Sequence, residues 1–238
     1  MNKITAFLYL LLVSVICGLT IPYFVEIVHV IFLSKKVTLM SQLEIYKWFA
    51  IGIIVFTFVR KLIKRNMSFL EVLSHELTHT IVALCFNRRI HTFQAGEYNG
   101  MISTSGKNYS LIPIALAPYC LPIFTYLLLS IRWMLDFHGM WFYDIVIGMT
   151  ACFHYFCFKT LIGNHQTDIN QYPLVFSYFY IITAWLINLC IILPSFFPNM
   201  NGRGYAEPLY HYGVWSSIYR LLLSWWDTLL SMVSYVVS

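Results

Sequence analysis

Long apolar runs alternate with short polar breaks along the chain. The first run covers residues 4–33 and contains Pro22. A helix crossing ~30 Å of hydrocarbon needs about 20 residues, so this run exceeds one straight span. It predicts one bent helix, or a span plus a shorter interfacial piece carrying Glu26 and His29. The second run, 45–59, ends in a basic cluster of Arg60, Lys61, Lys64 and Arg65. Residues 67–86 have helical length but hold Glu71, His75, Glu76 and His79. A loop rich in Gly, Ser, Thr and Asn follows at 87–108. The run 109–131 contains Pro113, Pro118 and Pro122. Each proline removes a backbone donor, which predicts a kinked helix. Residues 141–162 make another span, 163–172 a polar break, and 174–197 a further span.

Toward the C-terminus the pattern changes. Ser217, Arg220, Ser224, Asp227, Ser231, Ser234 and Ser238 recur at helical spacing among Trp215, Ile218, Leu222, Trp226, Leu230 and Val233. That is an amphipathic helix with a polar stripe, suited to a membrane interface or to packing on a bundle. The pattern predicts an all-α integral membrane fold, a polytopic bundle of about five to six transmembrane helices ending in that amphipathic helix. Three regions follow: N-terminal membrane helices at 1–66, a core at 67–172, and a C-terminal span with the amphipathic helix at 173–238.

Composition supports this placement. Hydrophobic residues make up 59% and charged residues 11%, against roughly 25% charged in a soluble domain. Lipid tolerates the apolar exterior that water would not. The net charge of +5 fits residues flanking membrane helices. Arg60 to Arg65 and the Arg88–Arg89 pair flank opposite ends of the 67–86 helix and argue for opposite orientations. No basic run interleaved with aromatics points to a nucleic-acid partner. Cys17, Cys85, Cys120, Cys152, Cys157 and Cys190 lie in or beside apolar stretches without a CxxC pair, and read as small hydrophobes. The N-terminal run resembles a signal peptide, but no small-x-small site follows it and Ile16 precedes Cys17. It reads as a retained first helix.

Within 67–86 stands Ser74-His75-Glu76-Leu77-Thr78-His79, a His-Glu-x-x-His motif. Residues four apart share a helix face, so His75 and His79 can grip one ion, with Glu76 beside them to take a proton from water. Ionisable groups are expensive in hydrocarbon and mark function there. Catalytic zinc keeps three protein ligands and an open position, so a third ligand is required. Asp168, at the junction after the 141–162 span, is the first candidate; His165 and His154 are rivals. Ser74, Thr78, Asn164 and Gln166 are candidates for lining a wet cavity, or for bonding their own backbone.

This motif in an apolar helix, with an acidic residue after a later span, resembles the site-2 protease family of intramembrane zinc metalloproteases, over about residues 67–172. The resemblance implies that His75, His79 and Asp168 bind Zn2+ and that Glu76 is the catalytic base. It implies a short β-hairpin after the metal helix, to which Gln94-Ala95-Gly96-Glu97-Tyr98-Asn99-Gly100 and Ser105-Gly106 are similar. Asn164, Gly96 and Gly100 are its substrate-binding candidates. The substrate it implies is a membrane protein segment, unwound locally and held as a strand along the hairpin edge. Better-known members place a Pro before the Asp and a Gly after it. Here Ile169 follows Asp168, and the run resembles a divergent branch with Ser or Thr before the Asp. The chain has no room for appended PDZ or CBS modules.

A non-catalytic membrane metal-binding protein or metal transporter is the alternative, with Glu26, His29 and His154 as further ligands along a metal path. Two histidines on one helix face cannot grip a haem from opposite sides. The glutamate inside the pair favours hydrolysis.

Overall fold

A computed structural model describes residues 3–28, 39–97, 99–107, 110–135, 140–162 and 166–196. The elements run α1 (Lys3–Val28), α2 (Leu39–Leu62), α3 (Lys64–Cys85), β1 (Arg89–Ala95), β2 (Gly100–Ser105), α4 (Leu111–Cys120), α5 (Ile123–Leu135), α6 (Trp141–Leu161), α7 (Thr167–Asn170) and α8 (Leu174–Ile192). A 3-10 turn, Pro194–Phe196, closes the described chain. Among the described residues, three helices are long and apolar enough to cross a membrane: Leu8–Val28, Trp141–Leu161 and Leu174–Phe196. The pair Leu111–Cys120 and Ile123–Leu135 makes a fourth if counted as one span, bent by 80°. Leu8, Leu12, Val25, Ile54, Phe58, Leu127, Val175 and Ile182 stand exposed on these and neighbouring helices, an exterior that suits lipid. The expected amphipathic helix at 215–238 and the interfacial piece with His29 lie outside the described residues.

The run 109–131 is two helices rather than one kinked helix. Its three prolines act differently. Pro113 sits in the first turn of α4, where no helical acceptor is required of it. Pro118 is carried inside the helix. Pro122 falls at the break, where Ile123 N–H donates to the Leu121 carbonyl instead of continuing the ladder. The carbonyls of Tyr119 and Cys120, left without helical donors, accept from Trp185 Nε1 at 3.0 Å and Asn188 Nδ2 at 2.7 Å. Both donors stand on α8, so the broken helix is fastened to it. Ile112, Leu116, Tyr119, Ile169 and Ile181 form the core behind this joint.

On the other side α2 and α6 pack along their length. Gly52 and Gly148 make this possible. A Cβ on Gly52 would collide with the Ile145 carbonyl, and one on Gly148 with the Phe49 carbonyl. Small residues let two helix backbones touch. Near the ends of the same helices, Arg60 donates to Glu71 Oε1 at 3.0 and 3.2 Å and to Thr160 Oγ1 at 3.1 Å, joining α2, α3 and α6. Deeper in, Arg132 on α5 donates to Asp144 on α6 at 2.6 Å, with the arginine 1% exposed.

Helix α3 ends in a Schellman motif. Arg88 N–H donates to the Ala83 carbonyl and Asn87 N–H to the Leu84 carbonyl. Asn87 takes the left-handed conformation, φ 52°, that this ending requires and that asparagine tolerates. The chain reverses into the antiparallel β1–β2 hairpin, with a bulge between Ile90 and Thr92. The buried Arg88 guanidinium donates to Thr104 Oγ1, the Lys107 carbonyl and Ser110 Oγ, fixing the hairpin base to the start of α4. The hairpin thereby lies against α3.

Candidate metal centre

His75 and His79 lie one turn apart on α3, both under 10% exposed. Their Nε2 atoms stand 3.1 Å apart. Asp168, in the first turn of α7, brings Oδ2 to 3.3 Å from each. The Ser177 hydroxyl on α8 donates to the Ile169 carbonyl at 3.0 Å and ties α7 down beside the site. Residues 89 and 93 positions apart in the chain thus converge on one point.

The donor set can be tested against an ion. Three ligands of a small tetrahedral ion, each at about 2.0–2.1 Å, stand about 3.3 Å from one another. The observed 3.1, 3.3 and 3.3 Å agree. Protonation offers a poorer account. His79 Nδ1–H donates to the Ile114 carbonyl at 2.7 Å, so in neutral His79 the Nε2 atom is a bare acceptor. It faces a carboxylate oxygen, also an acceptor. With both rings neutral, one proton on His75 Nε2 cannot serve all three atoms, whereas a cation can. A carboxylate is anionic at neutral pH, the form in which Asp168 would ligate a metal.

A cavity of about 320 Å³ opens on the cluster. Glu76, Asn99, Gly100, Gln166 and Thr167 line it together with the three ligand candidates. Gly100, at the start of β2, passes so close to Glu76 that a Cβ there would overlap its side chain. The glutamate is thus held between helix and hairpin, 7% exposed. The Tyr119 ring stands nearly perpendicular to that of His75, with centroids 5.4 Å apart.

Most residues singled out in the sequence meet here, and some do not. Gly100 and Gln166 line the cavity, whereas Gly96 donates its N–H to the Asn99 carbonyl and closes the hairpin turn. Thr78 donates to the Ser74 carbonyl at 2.7 Å, so its hydroxyl serves its own helix. Ser74 borders an apolar cavity with Phe56, Met67 and Phe124 instead. Asn164 and His165 lie outside the described residues. His154 is buried against Trp185, rings stacked at 5.2 Å; among the described residues neither it nor Glu26 joins a ligand cluster. Of the cysteines, all are unpaired thiols, and Cys85 is exposed rather than buried. Asn99 and Thr167 line the cavity too, though the sequence marks them only as neighbours of Gly100 and Asp168 and not as site residues. The cluster His75, His79 and Asp168 can hold a metal ion.

No family model, curated protein or solved structure matches this chain.

Proposed function

We propose that the chain is a multi-pass membrane zinc endopeptidase of the site-2 protease type, cleaving membrane-embedded or membrane-proximal protein segments. One observation carries the reading: two imidazole nitrogens and a carboxylate oxygen meet at tetrahedral-ligand spacing, and a glutamate lines the same cavity. Imidazole with carboxylate suits zinc. Zinc held by His75, His79 and Asp168 supplies Lewis acidity to a carbonyl and acidifies water.

The chain's own groups do the rest. Glu76 takes the proton as the water oxygen bonds to the scissile carbonyl carbon, and returns it to the nitrogen as the C–N bond breaks. Gly100 and the hairpin keep the carboxylate aimed into the cavity. The hairpin offers strand edges on which an unwound substrate can pair its backbone, and Asn99 and Gln166 supply polar contacts beside it. The substrate must be extended, because a helical peptide bond is shielded by its own ladder.

The test is Glu76→Gln, which keeps shape and removes the base. Purified in detergent and reconstituted in liposomes with a panel of tagged single-span reporters, the variant is expected to retain zinc and lose cleavage. Wild-type cleavage by the variant removes Glu76 as the base. Zinc flux across the liposome membrane, lost with Glu76→Gln while no reporter is ever cut, establishes transport instead.

A further inference from the structure

We propose that Pro118 is a positioning residue of this metal centre: lacking an N–H, it leaves the Ile114 carbonyl to His79 and so fixes which imidazole nitrogen faces the ion. The inference rests on the metal reading above and concerns how α4, which contributes no ligand, controls it.

In an α-helix the carbonyl of residue 114 accepts from the N–H of residue 118. Proline has no such donor, and its ring crowds the carbonyl four residues back, turning it outward. Pro118 lies inside α4, and Ile114 is buried at 8% exposure. A buried carbonyl without a donor is costly. His79 Nδ1–H fills the place at 2.7 Å. The proton on Nδ1 leaves the lone pair on Nε2, and Nε2 is the atom that lies 3.1 Å from His75 Nε2 and 3.3 Å from Asp168 Oδ2. The opposite tautomer would put an N–H into the middle of the ligand triangle.

The same logic operates at the next break. The carbonyls of Tyr119 and Cys120 are released and taken by Trp185 and Asn188. Those bonds fasten α4 to α8. The Ile114 carbonyl alone among these three is spent on a ligand candidate. Partners of the non-coordinating histidine nitrogen set ring orientation and basicity, and their loss typically weakens metal affinity 10–100-fold.

The experiment compares Pro118→Ala, which restores the N–H, with replacement of Pro118 by lactic acid, which has neither N–H nor ring. Pro113→Ala is the control, since its N–H has no helical acceptor to claim. All are full-length chains in detergent. Zinc affinity is measured against a competing chelator, and the His79 tautomer by 15N-histidine NMR of the metal-free protein, assigned with His79→Ala. Pro118→Ala is expected to weaken zinc by about 10–100-fold and to lower the Nδ1–H fraction of His79. The lactic-acid variant and Pro113→Ala are expected to match wild type. Unchanged affinity and tautomer in Pro118→Ala overturn the proposal, as does an equal loss in the lactic-acid variant. If His79→Ala still binds zinc, the metal reading itself fails. If His79→Ala loses zinc and Pro118→Ala does not, only the role of Pro118 fails.

Discussion

Replacing Gly100 with alanine tests whether the hairpin aims Glu76. An alanine Cβ would lie 2.6 Å from Glu76 Cδ and closer still to Oε1 and Cγ, against an ordinary contact of 3.4 Å or more. With Oε1 at 2.4 Å the carboxylate therefore has to retreat by about 1 Å, and a misplacement of about 1 Å costs about 100-fold in rate, equivalent to about 2.7 kcal/mol of barrier. Gly100 does not have left-handed backbone angles, so alanine adds no backbone strain. The obstacle is a side chain that can move, so unfolding stability should shift by less than about 1 kcal/mol. Zinc affinity should hold within about two-fold, because the ligand cluster is His75, His79 and Asp168 without Glu76. The assay is kcat/KM on a reporter helix in liposomes, with zinc content measured on the same preparation. Wild-type cleavage by Gly100→Ala refutes the argument. So does zinc lost in step with activity, which would place Glu76 among the ligands.

The purified protein should hold about one zinc per chain, and His75→Ala or His79→Ala should abolish it, read by metal analysis after dialysis. Arg132→Met deprives a buried Asp144 of its guanidinium and should cost about 3–5 kcal/mol in unfolding free energy. Pairing it with Asp144→Leu should recover most of that loss, measured by denaturation in detergent micelles.

The histidine pair was legible because its geometry is local: residues four apart on a helix share a face. Asp168 was legible only as a candidate, since two spans and a hairpin separate it from α3 and the fold alone brings it near. The hairpin itself came from resemblance, while its register and its bulge near His91 depend on cross-strand pairing that no composition encodes. Three prolines in 109–131 announced disruption. Which of them breaks the helix depends on where the first turn begins, so a kink was expected where an 80° corner stands. Thr78 shows the limit of reading polarity as cavity lining, because a buried helical hydroxyl can satisfy itself on the carbonyl one turn back. The Asn87 ending of α3 and the Ile114 carbonyl were invisible for a simpler reason. Both are backbone events, and side-chain pattern reports them only indirectly.

The two facing glycines have a mechanical consequence. Gly148 stands 13 residues before Leu161, the last residue of α6 and part of the cavity wall. At 1.5 Å per residue that is an arm of about 20 Å, so a tilt of about 3° at the crossing swings the far end by about 1 Å. The backbone contact at Gly52 and Gly148 is then the fulcrum, and the Arg60 link to Thr160 and Glu71 a stay near the tip. One wall of the cavity is thus positioned in part by a bearing two-thirds of a helix away.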